Sequence, residues 1–130
     1  MSKELLEKIL NENIDLSKYS NWKSIGNKNY PFTGSFDGKG YTISNITIEK
    51  STSDVYTGLF GYSTGKIENV IIENINISSG NYTGVLVGYT TGLINNVSVK
   101  NGIIIGNNRV GGIAGYSSSN IENSNSEVSV

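Results

Sequence analysis

The chain has 130 residues, a formal net charge of −1, 16 % charged residues, no Cys and no His. That balance gives no field for gathering nucleic acid or anionic lipid. Without Cys and His there is no disulfide framework, no thiolate or imidazole metal site, and no Ser-His or Cys-His catalysis.

In chain order, Ser2 to about Asn11 is the one helical pattern. Leu5, Leu6, Ile9 and Leu10 share a face, Ser2 can cap the start, and Glu4 and Lys8 form an i, i+4 pair. The pattern predicts a short amphipathic helix over residues 1–12. A membrane-surface helix is the rival reading, opposed by the glutamates among the lysines. Asn13 to Ser17 reads as a first strand, and Ser20 to Pro31 as a loop anchored by Trp22. Asp37-Gly-Lys-Gly40 reads as a tight turn between Phe36 and Tyr41. Asp37 lacks the alternating ligands of a calcium loop.

From Tyr56 onward the sequence repeats. Gly61-Tyr62, Gly88-Tyr89 and Gly115-Tyr116 stand 27 residues apart, and Ile67-Glu-Asn69, Ile94-Asn-Asn96 and Ile121-Glu-Asn123 keep the same period. Ile43-Ser-Asn45 reads as an earlier copy, 24 residues before Ile67. A fixed period of this size marks a solenoid, propeller or array. Val70–Ile72, Ile75–Ile77, Val85–Val87, Val97–Val99 and Ile103–Ile105 are short, β-branched and bounded by Gly, Asn and Ser, so they are strands. Three such strands and three turns make one coil of a parallel β-helix, stacked at ~4.8 Å on the next. Asn45, Asn69, Asn96 and Asn123 would form an amide ladder along the stack. Gly61, Gly88 and Gly115 read as positions needing positive φ or close backbone approach.

Tyr56-Thr-Gly-Leu-Phe-Gly-Tyr62, with Thr83 to Tyr89 and Val110 to Tyr116, resembles the GLUG repeat of IgA-cleaving peptidases and other bacterial surface proteins. Asn13 to Ser17, Trp22 to Gly26 and Pro31 to Asn45 resemble the leader that opens such arrays. The resemblance implies the fold; in those large proteins the repeats are accessory regions and the chemistry lies elsewhere. The expected architecture is all-β: a short right-handed parallel β-helix of about four coils. It comprises an N-terminal α-helical cap (1–12) and a single domain of repeats (13–130).

Few groups offer chemistry. Glu68 and Glu122 occupy equivalent positions two coils apart, ~10 Å with Asn95 between them. That separation is near the upper limit for an inverting glycosidase pair, but charges spaced to avoid repulsion on a solvated face explain it better. Gly61 to Ile67 imitates a phosphate loop but has one residue too few and Ile where Ser or Thr should bind magnesium. No catalytic residue, metal or cofactor is expected. Two aromatic columns stand out. Tyr56 and Tyr82 precede Thr-Gly in successive coils, with Arg109 in the matching place next, and Tyr62, Tyr89 and Tyr116 form a second set. Either can be a structural stack at a corner, and either can be a binding strip, where Tyr and Arg concentrate energy. Tyr56, Tyr82 and Arg109 are the partner-binding candidates.

The reading that follows is a non-catalytic protein-binding module, with neither nucleic acid nor membrane as partner. If the chain is complete it acts in the cytoplasm as a small inhibitor, by analogy with phage anti-defence proteins such as anti-CRISPR proteins. If it is a fragment, it is a stalk or adhesive segment of an exported adhesin or peptidase, at the cell surface or secreted. The C-terminal coil, ending without helix, Pro or charge cluster, is expected to support a homodimer.

Overall fold

The computed structural model describes residues 12–51 and 55–130. These form a parallel β-solenoid of about four turns. The strands are β1 (Ile14–Asp15), β2 (Ser35–Asp37), β3 (Thr42–Glu49), β4 (Val55–Thr57), β5 (Phe60–Ser63), β6 (Lys66–Ser78) and β7 (Asn81–Gly84). They continue as β8 (Val87–Thr90), β9 (Ile94–Ile105), β10 (Val110–Gly111), β11 (Ala114–Ser117), β12 (Ile121–Glu122) and β13 (Asn125–Ser129). A long sheet runs β1-β3-β6-β9-β12, with β2 beside β6 and β13 beside β9; two three-stranded sheets, β4-β7-β10 and β5-β8-β11, close each coil. No helix is present among the described residues; the N-terminal α-helical cap expected over 1–12 is not borne out by them, since residues 1–11, which carry its pattern, lie outside them.

The registers realise the 27-residue period. Ile67 pairs with Ile94 and Ile94 with Ile121, while Tyr62 pairs with Tyr89 and Tyr89 with Tyr116. Inside the coils the β-branched side chains stack on their own kind: Ile43, Ile72 and Val99 in one column, Ile48, Ile77 and Ile104 in another, all buried. Each fully buried Ile withdraws apolar surface worth about 1.5–3 kcal/mol, so these columns hold the coils together. Trp22 seals the first coil as expected, buried to 2 % exposure with its indole N–H donating to the Leu59 carbonyl at 3.3 Å. The last coil is open by comparison: Ile121 is 42 % exposed, while its column mates Ile67 and Ile94 are fully buried.

The first coil departs from the expected register. Ile43 pairs with Ile72 and Ile46 with Ile75, so Asn45 stands 29 residues before Asn74 and not in line with Asn69. It is Phe36 that pairs with Ile67. The Gly38–Tyr41 turn causes the shift: it closes with Tyr41 N–H donating to the Gly38 carbonyl and with Lys39 and Gly40 at positive φ, adding chain between Phe36 and Ile43.

The Asn ladder is therefore two columns. Asn69, Asn96 and Asn123 make one, and Asn45, Asn74 and Asn101 the other; all six have φ between 51° and 62°. Asn is a residue that enters the left-handed region readily, and each such residue bends the strand and reverses its in–out alternation. Val70 and Ile72 point inward, then Asn74 intervenes, and Ile75 and Ile77 point inward. In the first column Asn96 donates to Asn69 at 2.9 Å and Asn69 to Asp37 at 3.0 Å, whereas Asn123 donates sideways to Asn95 at 3.0 Å. In the second, Asn45 donates to Asp15 at 2.9 Å.

Candidate functional site

The three candidate residues meet at one corner. Strands β4, β7 and β10 place Tyr56, Tyr82 and Arg109 in register, because Thr57 pairs with Thr83 and Thr83 with Val110. The Tyr56 and Tyr82 rings stack at 5.2 Å and 28°, and the Arg109 guanidinium lies 5.2 Å from the Tyr82 ring centroid. The second column stands against the first. Tyr62 stacks on Tyr89 at 4.6 Å and 15°, Tyr89 on Tyr116 at 4.5 Å and 14°. Between columns the rings meet edge to face: Tyr56 with Tyr62 at 5.2 Å and Tyr82 with Tyr89 at 5.5 Å. The sequence showed two columns; the structure shows one continuous aromatic surface of five rings closed by a cation.

The backbone beneath this surface is unusual. Tyr56, Tyr82 and Arg109 hold φ of 61°, 56° and 55°. For side chains larger than Asn the left-handed region is sterically unfavourable by about 1–2 kcal/mol per residue. Gly61, Gly88 and Gly115, expected to need positive φ or close approach, need the second: among the described glycines only Gly26 and Gly40 have left-handed φ. A Cβ on Gly88 would lie 2.5 Å from the Tyr82 carbonyl oxygen, and one on Gly115 would lie 2.7 Å from that of Arg109. Each glycine makes room for the carbonyl that its left-handed neighbour turns into the corner. The buried hydroxyls below are satisfied: Thr57 and Ser79 share a 2.9 Å hydrogen bond and Thr83 donates to the Gly80 carbonyl at 2.9 Å.

One coil earlier the column is replaced by a loop. Ile25 pairs with Phe60 and Phe32 with Ser63, so Gly26 to Pro31 occupy the span that Gly61 and Tyr62 fill above. The Asn27 side chain accepts from the Asn29 and Tyr30 N–H groups, and Asn27 N–H donates to the Tyr30 carbonyl. This tight loop presents Tyr30 at 80 % exposure beside an exposed Lys28. The repeat pattern does not mark Tyr30; its signal in the sequence is the Lys28-Asn-Tyr-Pro31 turn just upstream of the repeats.

Charge is segregated. Asp15, Asp37, Glu49, Glu68, Glu73, Glu122 and Glu127 all lie on strands of the long sheet, and the strands of the other two sheets carry no carboxylate. On the corner's side of the coil the described charged groups include Arg109 on the Tyr82 ring, Lys28 in the loop, and exposed Lys23 beside Ser24, which bonds to Gly58. Burial, then the Tyr62 and Tyr116 phenols, push the Tyr89 hydroxyl above its ordinary value. On the long sheet the Asn45 amide and the Ser17 N–H hold the Asp15 carboxyl below its ordinary value, and the Asn69 amide and the Lys39 N–H do the same for Asp37. Glu68 and Glu122 flank Asn95 as expected, but Glu68 is engaged by Lys66 at 2.7 Å. Among the described residues no group of three or more His, Cys, Asp or Glu could hold a metal ion.

Fold and corner together define a repeat-built β-solenoid with an aromatic face. Halomucin of Haloquadratum walsbyi is similar to this chain, 46 % identical over 57 residues, which is 42 % of this chain and 1 % of Halomucin. No protein-family model matches the chain, so the GLUG resemblance is not extended to membership of that family. No solved structure matches it either. Among the described residues no helix is long and apolar enough to cross a membrane.

Proposed function

We propose that the chain is a rigid, non-catalytic repeat segment of a surface or secreted protein, whose aromatic corner is an adhesive surface for a protein partner. The observation that carries this reading is the placement of Tyr56, Tyr82 and Arg109 in the left-handed region. Elsewhere among the described non-glycine residues that backbone geometry is given to Asn in six places and, in the tight Gly38–Tyr41 turn, to Lys39. Large side chains held where Asn would fit without strain mark a position kept for what the side chain presents outward. Tyrosine suits such a surface, since it offers large contact area and a hydroxyl at low entropic cost. The likeness of 42 % of this chain to a stretch of Halomucin supports the setting. The inhibitor reading rests on analogy with phage proteins, and neither the fold nor the comparisons favour it.

The test is adhesion. Beads coated with the chain should adhere to microbial or host cell surfaces, and beads coated with a Tyr56→Asn/Tyr82→Asn/Arg109→Asn variant should lose most of that adhesion. Equal adhesion by both would exclude the corner as the adhesive surface. Adhesion by neither, with specific capture of one intracellular protein, would restore the inhibitor reading.

A further inference from the structure

We propose that the aromatic corner takes an extended acidic peptide segment with two carboxylates four residues apart and an aromatic or apolar side chain midway. The inference rests on the adhesive reading and names the chemistry of its partner. Its first support is the charge pattern: the described carboxylates of the strands stand on the long sheet, while Arg109 lies on the Tyr82 ring and Lys28 in the loop one coil below Tyr62. The second is the polarity of the rings. Rings stacked at 4.5–4.6 Å largely cover one another's faces. They present edges, which carry the positive part of the aromatic quadrupole, and phenol hydroxyls that can donate. A partner rich in oxygen acceptors is favoured and a cationic one is repelled.

The third support is spacing. The Lys28 loop lies one coil before Tyr62, and Arg109 lies in the coil of Tyr116, so the two residues are three coil steps apart, a rise of roughly 14 Å along the stack at ~4.8 Å per step. An extended peptide advances ~3.3 Å per residue and turns alternate side chains to one face, so residues i and i+4 span about 13 Å with i+2 between them. Carboxylates at i and i+4 then reach Lys28 and Arg109, while i+2 rests on the Tyr62–Tyr89 edge, with Tyr30 closing the lower end.

The experiment is a fluorescence-anisotropy titration of the intact chain with two labelled peptides, Gly-Glu-Ser-Tyr-Ser-Glu-Gly and its counterpart with Lys for Glu. The acidic peptide should bind at least about 10-fold more tightly than the basic one, and raising salt past the screening range should weaken it several-fold. Arg109→Glu and Lys28→Glu should each weaken the acidic peptide about 10-fold, and the double variant should reverse the preference. Both sites are exposed, and unchanged thermal melting of the variants separates loss of binding from loss of fold. Equal binding of the two peptides, or acidic-peptide binding indifferent to both variants, would overturn the proposal. Binding of polygalacturonate without the acidic peptide would overturn it in favour of an acidic glycan. Adhesion that the triple Asn variant abolishes, without peptide binding, would leave the adhesive surface standing and sink this ligand alone.

Discussion

The long sheet and the aromatic corner solve one geometric problem in two ways. Both must bend the chain at each coil, and both use left-handed residues to do it. The long sheet uses Asn, which enters that region readily and whose amides bond along the stack, ending on Asp15 and Asp37. The corner uses Tyr, Tyr and Arg, which enter it with strain and return nothing to the backbone. Their side chains instead build a surface with Tyr62, Tyr89 and Tyr116. On the proposed reading, the long sheet's bends serve the fold, while the corner's bends serve what is displayed on it.

The sharpest way to break the comparison is at Gly88. A Cβ there would sit 2.5 Å from both the Thr57 nitrogen and the Tyr82 carbonyl oxygen, backbone atoms of two adjoining coils. Gly88→Ala should therefore cost more than about 3 kcal/mol, at the rare end for one methyl group, read as a large fall in the denaturation midpoint. A loss under about 1 kcal/mol would show that the corner is not closely packed around its left-handed residues. Next comes the Asn column. Asn96→Gly keeps the left-handed backbone accessible but removes the 2.9 Å bond to Asn69, and should cost about 1 kcal/mol. Asn96→Leu should cost more, because strain is added to the lost bond.

Smaller still, pH separates the regions by direction. Asp15 and Asp37 have folded-state pKa values lowered by their Asn partners, so the stability they add is present above the unfolded carboxylate value and lost as pH falls through the folded one. Below about pH 4 the long sheet should weaken first, seen as faster amide exchange near Asn45 and Asn69. Tyr89 is raised, chiefly by burial, so its contribution is present below the unfolded phenol value and lost as pH rises through the folded one. Above about pH 10 the corner should loosen first, with phenolate absorbance of Tyr89 appearing above the ordinary phenol value. Simultaneous loosening of both regions at either extreme would erase the distinction.

Most of the fold was legible because the period is carried twice, by Gly-Tyr and by Ile-x-Asn, and the two landmarks agree. Those landmarks fix coils two to four. The first coil was misregistered because Ile43-Ser-Asn45 imitates Ile67-Glu-Asn69 locally, and a turn of a few residues at Gly38–Tyr41 shifts which column Asn45 joins. The second Asn column was readable in principle, since Asn74 and Asn101 keep the 27-residue period. Its members share the same frame as the first column, Ile43-Ser-Asn45, Ile72-Glu-Asn74 and Val99-Lys-Asn101, so the motif alone does not tell one column from the other. The corner residues were legible as a periodic column; their positive φ was not, because Tyr and Arg carry no signal for it. That the two tyrosine columns form one surface depends on the angle at which β4 meets β5, which no spacing along the chain records.

The most direct test of this account is the single variant Arg109→Asn, followed in parallel by thermal melting and by acidic-peptide titration. Arg109 is exposed, so little packing is lost, and Asn relieves a left-handed strain of about 1 kcal/mol. The account predicts a melting temperature equal to or above that of the parent chain, together with peptide binding weakened several-fold. A clear fall in melting temperature with binding unchanged would mean that Arg109 serves the fold and that the corner is a structural stack.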